Sequence, residues 1–130
     1  KIKKYNHNKI IKRLKNSKKW NNQFTFIVEN KNVKSNWFGL SMLINHPHIL
    51  KKKKFINYLT ETGIENRPII SGNFINQPSF KFFKFKANKN TLMNSQEIED
   101  RGFFLGLGNN IINNKNLNFL TKNLLKISSI

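Results

Sequence analysis

Strand-like and helix-like segments alternate along this chain, and that alternation limits the folds open to it. Four short runs rich in aromatic and β-branched residues read as strands: Phe24 to Val28, Trp37 to Ile44, Ile64 to Ser71 and Phe103 to Leu107. Gly39 inside the second run predicts a bulge or a close backbone approach, and Pro68 confines the third to an edge or a strand start. Helical spacing fills the intervals. Lys1 to Lys19 carries Tyr5, Ile10, Ile11 and Leu14 among lysines. Ile49 to Thr62 carries Phe55, Ile56 and Leu59, follows Pro47 and stops at Gly63, which has the chemistry of a helix C-cap. Asn94, with Glu97 three residues on, predicts an N-cap opening a short helix through Asp100. Leu117, Leu120, Leu124 and Ile127 make one clean helical stripe. Gly72 to Phe85 reads as a loop with a high aromatic load: Phe74, Phe80, Phe82, Phe83 and Phe85. The fold class expected is α/β with α+β character, one sheet of three to four strands with helices mainly on one face.

A length of 130 residues supports one domain with a modest core. The chain begins at Lys1, without Met and inside a helical run, so it is expected to be cut from a longer protein. No segment approaches the ~18 uninterrupted apolar residues of a membrane span, and the first residues lack the pattern of a signal peptide. With no cysteine, disulfides and thiolate metal sites are excluded. The formal net charge of +18 invites a nucleic-acid reading. Against it, only Arg13, Arg67 and Arg101 are arginine, the residue favoured for bidentate phosphate contacts. The excess is Lys, accompanied by Asn, Ile and Phe and by a single alanine, Ala87. An AT-rich genome encodes that composition by default, so no nucleic-acid partner is expected; a stand-alone basic nucleic-acid-binding module is the rival reading.

Several constellations could carry chemistry. In Gly63-Ile64-Glu65-Asn66-Arg67-Pro68, Arg67 ends a helix–turn–strand unit, where a guanidinium could clamp a phosphate or carboxylate. Asn73 follows Gly72, which lets amide groups approach a ligand closely. On chemistry alone, a surface salt bridge and an ordinary loop are the simpler account. The glycines of Gly102 to Gly108 stand in helix-then-strand order, whereas a dinucleotide fingerprint needs strand then helix, and no P-loop Lys-Ser or Lys-Thr follows. His46 and His48 flank Pro47 without a nearby Asp, Glu or Cys, which suits a solvated loop better than a metal site. The acids Glu97, Glu99 and Asp100 are expected in a helix first turn, where the dipole favours negative charge. Nothing here is a self-contained catalytic or metal-binding constellation.

Taken together, Asn36-Trp37-Phe38-Gly39-Leu40, Lys53-Phe55-Ile56-Tyr58-Leu59, Gly63 to Pro68, Gly72-Asn73-Phe74 with Gln77-Pro78 and Phe80, and Asn94 to Gly106 resemble the C-terminal part of the DegT/DnrJ/EryC1/StrS family. These are fold-type I pyridoxal-phosphate enzymes acting on nucleotide-linked keto sugars. The usual aminotransferase branch has His-Tyr shortly after the arginine; Pro68-Ile69-Ile70 stands here instead and resembles the branch of sugar 3-dehydratases. The resemblance implies a linking helix over residues 1–22 and a small C-terminal domain over 23–130. It implies a cytoplasmic homodimer that holds pyridoxal phosphate mainly through a large N-terminal domain, where the Schiff-base Lys, or the His replacing it in the dehydratases, would sit. It implies no catalytic residue in this stretch. Its task would be to orient the nucleotide-sugar substrate: Arg67 on an anionic or hydroxyl group, Asn73 and Gln77 as amide hydrogen-bonding groups, Phe74 or Phe80 as wall.

Overall fold

Alternate burial along one strand organises the whole molecule. The computed structural model describes residues 1–84, 86–88 and 91–130; Phe85, from the aromatic loop, lies outside them. In strand β2 (Gly39–Ile44) the side chains of Leu40, Met42 and Ile44 are fully buried, every second residue as a one-sided strand requires. β2 pairs with β1 (Phe24–Phe26) on one side and β4 (Gly102–Gly106) on the other, and β4 pairs with the two-residue β3 (Asn66–Arg67). The order is β1-β2-β4-β3 and each pairing is antiparallel.

Helices close one face of this sheet. Ile10 and Leu14 of α1 (Ile2–Lys15), Phe55 and Leu59 of α2 (Lys52–Glu61), and Leu117 and Leu124 of α4 (Asn114–Leu124) join β2, Phe103 and Leu105 in a single apolar cluster. Ile127, in a 3-10 turn that continues α4, completes the C-terminal stripe expected from its spacing. Phe55 and Phe103 meet edge to face at 6.0 Å, and fully burying such a ring contributes roughly 1.5–3 kcal/mol. Asn6 adds a polar clasp: its amide donates to the Asn110 carbonyl at 2.8 Å and accepts from the Ile112 N–H at 3.0 Å. The first helix is therefore knitted to the segment that leads into the last.

Several boundaries differ from expectation for identifiable reasons. β1 ends at Phe26, and Val28 is exposed. β2 starts at Gly39 because Trp37 has φ +39°, off the strand conformation. The third run contributes only Asn66–Arg67, since Pro68 has no N–H to extend the ladder. Gly63 does stand at φ +78° beyond α2, as a C-cap glycine should. The short helix α3 spans Met93–Arg101 with Leu92 at its N-cap position, so Asn94 lies inside the helix and caps nothing. Its first turn holds no acid. Glu97 pairs with Arg101 one turn on, and Arg101 also donates to the Ile44 carbonyl at 2.9 Å, so tertiary bonds replace the expected dipole effect. The histidines differ as well. His46 is exposed, but His7 and His48 are buried, and His7 lies flat on Trp37 with ring centroids 4.1 Å apart. Burial, reinforced by the Lys51 charge, holds the His48 imidazole below its ordinary pKa.

Candidate functional site

The second face of the sheet carries a different set of residues. Ser41 and Arg67 are the cross-strand partners of Phe104, so all three share the face opposite the helix-packed core. Two steps along β4 from Phe104 lie Gly102 and Gly106, and Gly39 is paired with Gly106. Glycine is required at two of these points. A Cβ on Gly39 would come within 2.6 Å of the Leu105 carbonyl and 2.7 Å of the Phe104 ring. A Cβ on Gly102 would meet the Ile98 carbonyl at 2.3 Å and the Ile69 side chain at 2.7 Å. The close backbone approach read from Gly39 is thus real, and its use is to let Phe104 lie against the sheet.

Phe38 stands over this floor. Its ring is 5.9 Å from that of Phe104 and remains 77 % exposed, with the Lys3 ammonium 5.7 Å from its centroid as a cation–π neighbour. The left-handed backbone at Trp37 aims Phe38 this way, and the His7–Trp37 stack holds that turn against α1. Glu29 anchors the preceding loop by accepting from Lys4 at 2.6 Å and from the Ser35 N–H at 2.7 Å; these bonds hold its carboxyl below the usual range.

Arg67 lies at the edge of the same face. It donates twice to Glu65 Oε1, at 2.7 and 3.1 Å, in an ion pair whose side chains are both mostly exposed. The simpler account of this residue describes its contacts here, and the pair is open enough to be exchanged for a ligand. Two contiguous clefts, of about 400 and 520 Å³, share Phe38, Arg67 and Phe104 in their walls. Gln77, Ile69 and Ile70 line the larger one. An exposed guanidinium, an amide and an aromatic ledge in one cleft can bind an anionic, partly apolar ligand.

The four residues expected to bind substrate are divided by the structure. Arg67 and Gln77 share the larger cleft, although Gln77 also donates to the Ser71 carbonyl at 3.0 Å. Asn73 turns away: it is 4 % exposed, its N–H donates to Glu99 Oε2 at 2.7 Å and its side-chain amide to Gln96 Oε1 at 3.0 Å. Asn76 adds bonds to the same two acceptors, so the loop after β3 is fastened to α3. Gly72, at φ +49°, lets the loop touch Glu99, where a Cβ would be 2.9 Å from the Glu99 side chain. Phe74 packs against Phe80 and Phe83 in a separate, partly exposed aromatic group. Phe38, Phe104 and Lys3 were not foreseen as neighbours of Arg67. The unbroken run Phe103-Phe104-Leu105 was the available signal, because a strand apolar on both faces has two surfaces in use.

A Schiff-base lysine needs a lowered pKa and access to a cleft. Lys52 is the lysine whose pKa burial lowers, yet its ammonium donates to the Glu99 carbonyl at 2.7 Å and it lines neither cleft. No helix is long and apolar enough to cross a membrane among the described residues.

Comparison with known proteins bears on this arrangement. Over 80 residues, 61 % of the chain, it is 32 % identical to GDP-4-keto-6-deoxy-D-mannose 3-dehydratase of Escherichia coli and 29 % identical to that of Yersinia pseudotuberculosis. The chain is homologous to the C-terminal part of these dehydratases. It spans about a fifth of the length of the curated relatives it matches. A mutant GDP-4-keto-6-deoxymannose-3-dehydratase solved with GDP-perosamine superimposes with a TM-score of 0.79, at 24 % identity, over 95 % of this chain and 30 % of that one. A proposed sugar aminotransferase of Streptococcus pneumoniae, in its PLP form, superimposes at 0.76 with 10 % identity, over 98 % and 30 % respectively. Both superpositions show the fold: four helices and a four-stranded antiparallel sheet, as in the C-terminal portion of such enzymes. No family model matches the chain.

Proposed function

We propose that this chain is the small C-terminal domain of a PLP-dependent enzyme acting on nucleotide-linked 4-keto-6-deoxy sugars, and that its open sheet face positions the sugar nucleotide. The observation that carries the reading is the coincidence of homology and geometry. The chain is related to dehydratases of such sugars, and an exposed guanidinium stands in an open cleft beside an aromatic ledge. Arg67 would exchange Glu65 for an anionic group of the ligand, a charge-assisted contact that fixes orientation. Gln77 would add an amide hydrogen bond, and Phe38 with Phe104 would form the wall beneath it. Asn73 serves this site from behind, by holding the 68–77 loop to α3, and Phe74 borders it through the Phe80 and Phe83 group. The cofactor belongs, on this reading, to the large domain, from which residues 1–22 lead in; two subunits would complete a cytoplasmic homodimer. The Pro68-Ile69-Ile70 segment favours 3-dehydration over amino transfer.

The test uses the complete polypeptide that carries this chain. It is expected to show a pyridoxal absorbance band that changes when a GDP-linked 4-keto-6-deoxy sugar is added. Arg67→Ala should raise KM for that sugar by about tenfold or more while the band stays unchanged. A complete protein without the band would end the proposal, and equal loss of cofactor and substrate would make Arg67 structural.

A further inference from the structure

The charge of this protein is not evenly spread. All six carboxylate side chains lie between Glu29 and Asp100, whereas residues 1–28 and 101–130 contain no Asp or Glu. Those two terminal segments hold nine and four Lys or Arg respectively. Codon drift toward lysine accounts for many cations, but it does not clear acids from two segments that the fold packs together. α1 and α4 are in direct contact, and Asn6 and Arg13 bond across from the first segment to the last.

A cleft of about 630 Å³ opens where these two helices end. Arg13 and Lys19 line one side, Lys122 and Lys126 the other, and no carboxylate contributes to the wall. None of the three ion pairs among the described residues involves any of these four cations. Thr121 and Leu125 make a buried floor, with Ser17 at the rim. The helix C-termini nearby supply only about half a negative charge each, which four cations exceed. Four like charges around one concavity repel one another, and no Asp or Glu among the lining residues offsets this. A bound anion would.

We propose that this cleft binds a compact polyphosphate anion, either inorganic triphosphate or the phosphate chain of a nucleotide. The cleft lies on the outer side of the helix layer, across the sheet from the Arg67 site, and the proposal does not depend on the function proposed for that site. Its size falls in the small-ligand range of roughly 300–1,000 Å³. Its wall contains no aromatic ring, so it lacks the stacking platform that single-stranded nucleic acid uses. Phosphate oxygens are therefore the groups it can read.

The experiment titrates the purified protein with inorganic triphosphate at physiological ionic strength, by calorimetry and by backbone amide shifts. Saturable one-to-one binding is expected, with shifts centred on Ser17, Lys122 and Lys126. Lys122→Gln with Lys126→Gln should weaken it by about tenfold, and the double Glu variant further, with the melting temperature little changed because both side chains are exposed. Lys31→Gln with Lys34→Gln, which removes two exposed cations outside this cleft, should leave triphosphate binding as it was. GTP in a parallel arm should bind at least as tightly if the nucleotide is the source, and more weakly if the free polyphosphate is. Absence of saturation, insensitivity to the Lys122→Gln with Lys126→Gln variant, or an equal loss on Lys31→Gln with Lys34→Gln would overturn the proposal. So would tighter, steeply salt-dependent binding of a mixed-sequence oligonucleotide, which would point to a nucleic-acid surface instead.

Discussion

The two faces of the sheet obey opposite rules. On the helix side, space is filled by large apolar side chains from α1, α2, α4 and three strands, and the face is sealed. On the other side, glycines at 39 and 102 keep space open, so that Phe104 and Ile69 can lie close to the backbone while Phe38 and Arg67 remain accessible. One face uses bulk to exclude water; the other uses the absence of side chains to keep a cleft open. The lesson is that a single residue period in β2 and β4 builds two unlike surfaces at once, with the sealed core on one parity and the open clefts on the other.

That contrast can be broken from its strongest side first. Phe55→Ala removes a fully buried ring that touches Phe24 and Phe103, and should cost about 3–5 kcal/mol in chemical denaturation, much of the stability of a domain this size. A loss under 1 kcal/mol would mean the helix side is not the sealed face. Next in size is Gly39→Ala, whose new Cβ would collide with backbone as well as with the Phe104 ring. An expected loss of about 1–3 kcal/mol should come with shifted resonances for Phe38 and Phe104. Unchanged spectra would show that the open face does not depend on the missing side chain. The smallest effect belongs to Arg67→Ala, since the Arg67–Glu65 pair is exposed. Stability should change by no more than about 0.5 kcal/mol, even though the same substitution is expected to impair substrate use. A large loss in the melting curve would move Arg67 from the site to the scaffold.

Much of the helix side was legible from residue spacing. The C-terminal stripe, the apolar run of β2, the helix around Phe55 and Leu59, and the glycine at 63 follow from local periodicity and turn chemistry, which neighbours in sequence suffice to set. The candidate site was legible in part. Arg67 and Gln77 line one cleft, but Asn73, three residues before a turn of Phe74–Asn76 is complete, faces α3 because Gln96 and Glu99 satisfy its amide and N–H there. No pattern in the loop itself announces partners more than twenty residues away.

The sequence by itself determined which stretches could become helix or strand, and it determined that the chain is related to nucleotide-sugar dehydratases, because local spacing and short motifs are properties of neighbours along the chain. Tertiary structure alone decided the β1-β2-β4-β3 order, the burial of His7 and His48, and the meeting of Phe38, Phe104 and Arg67. Those outcomes depend on which surfaces exclude water together and on which distant donor reaches which acceptor. Such contacts join residues remote in sequence, and only the folded chain brings them within range.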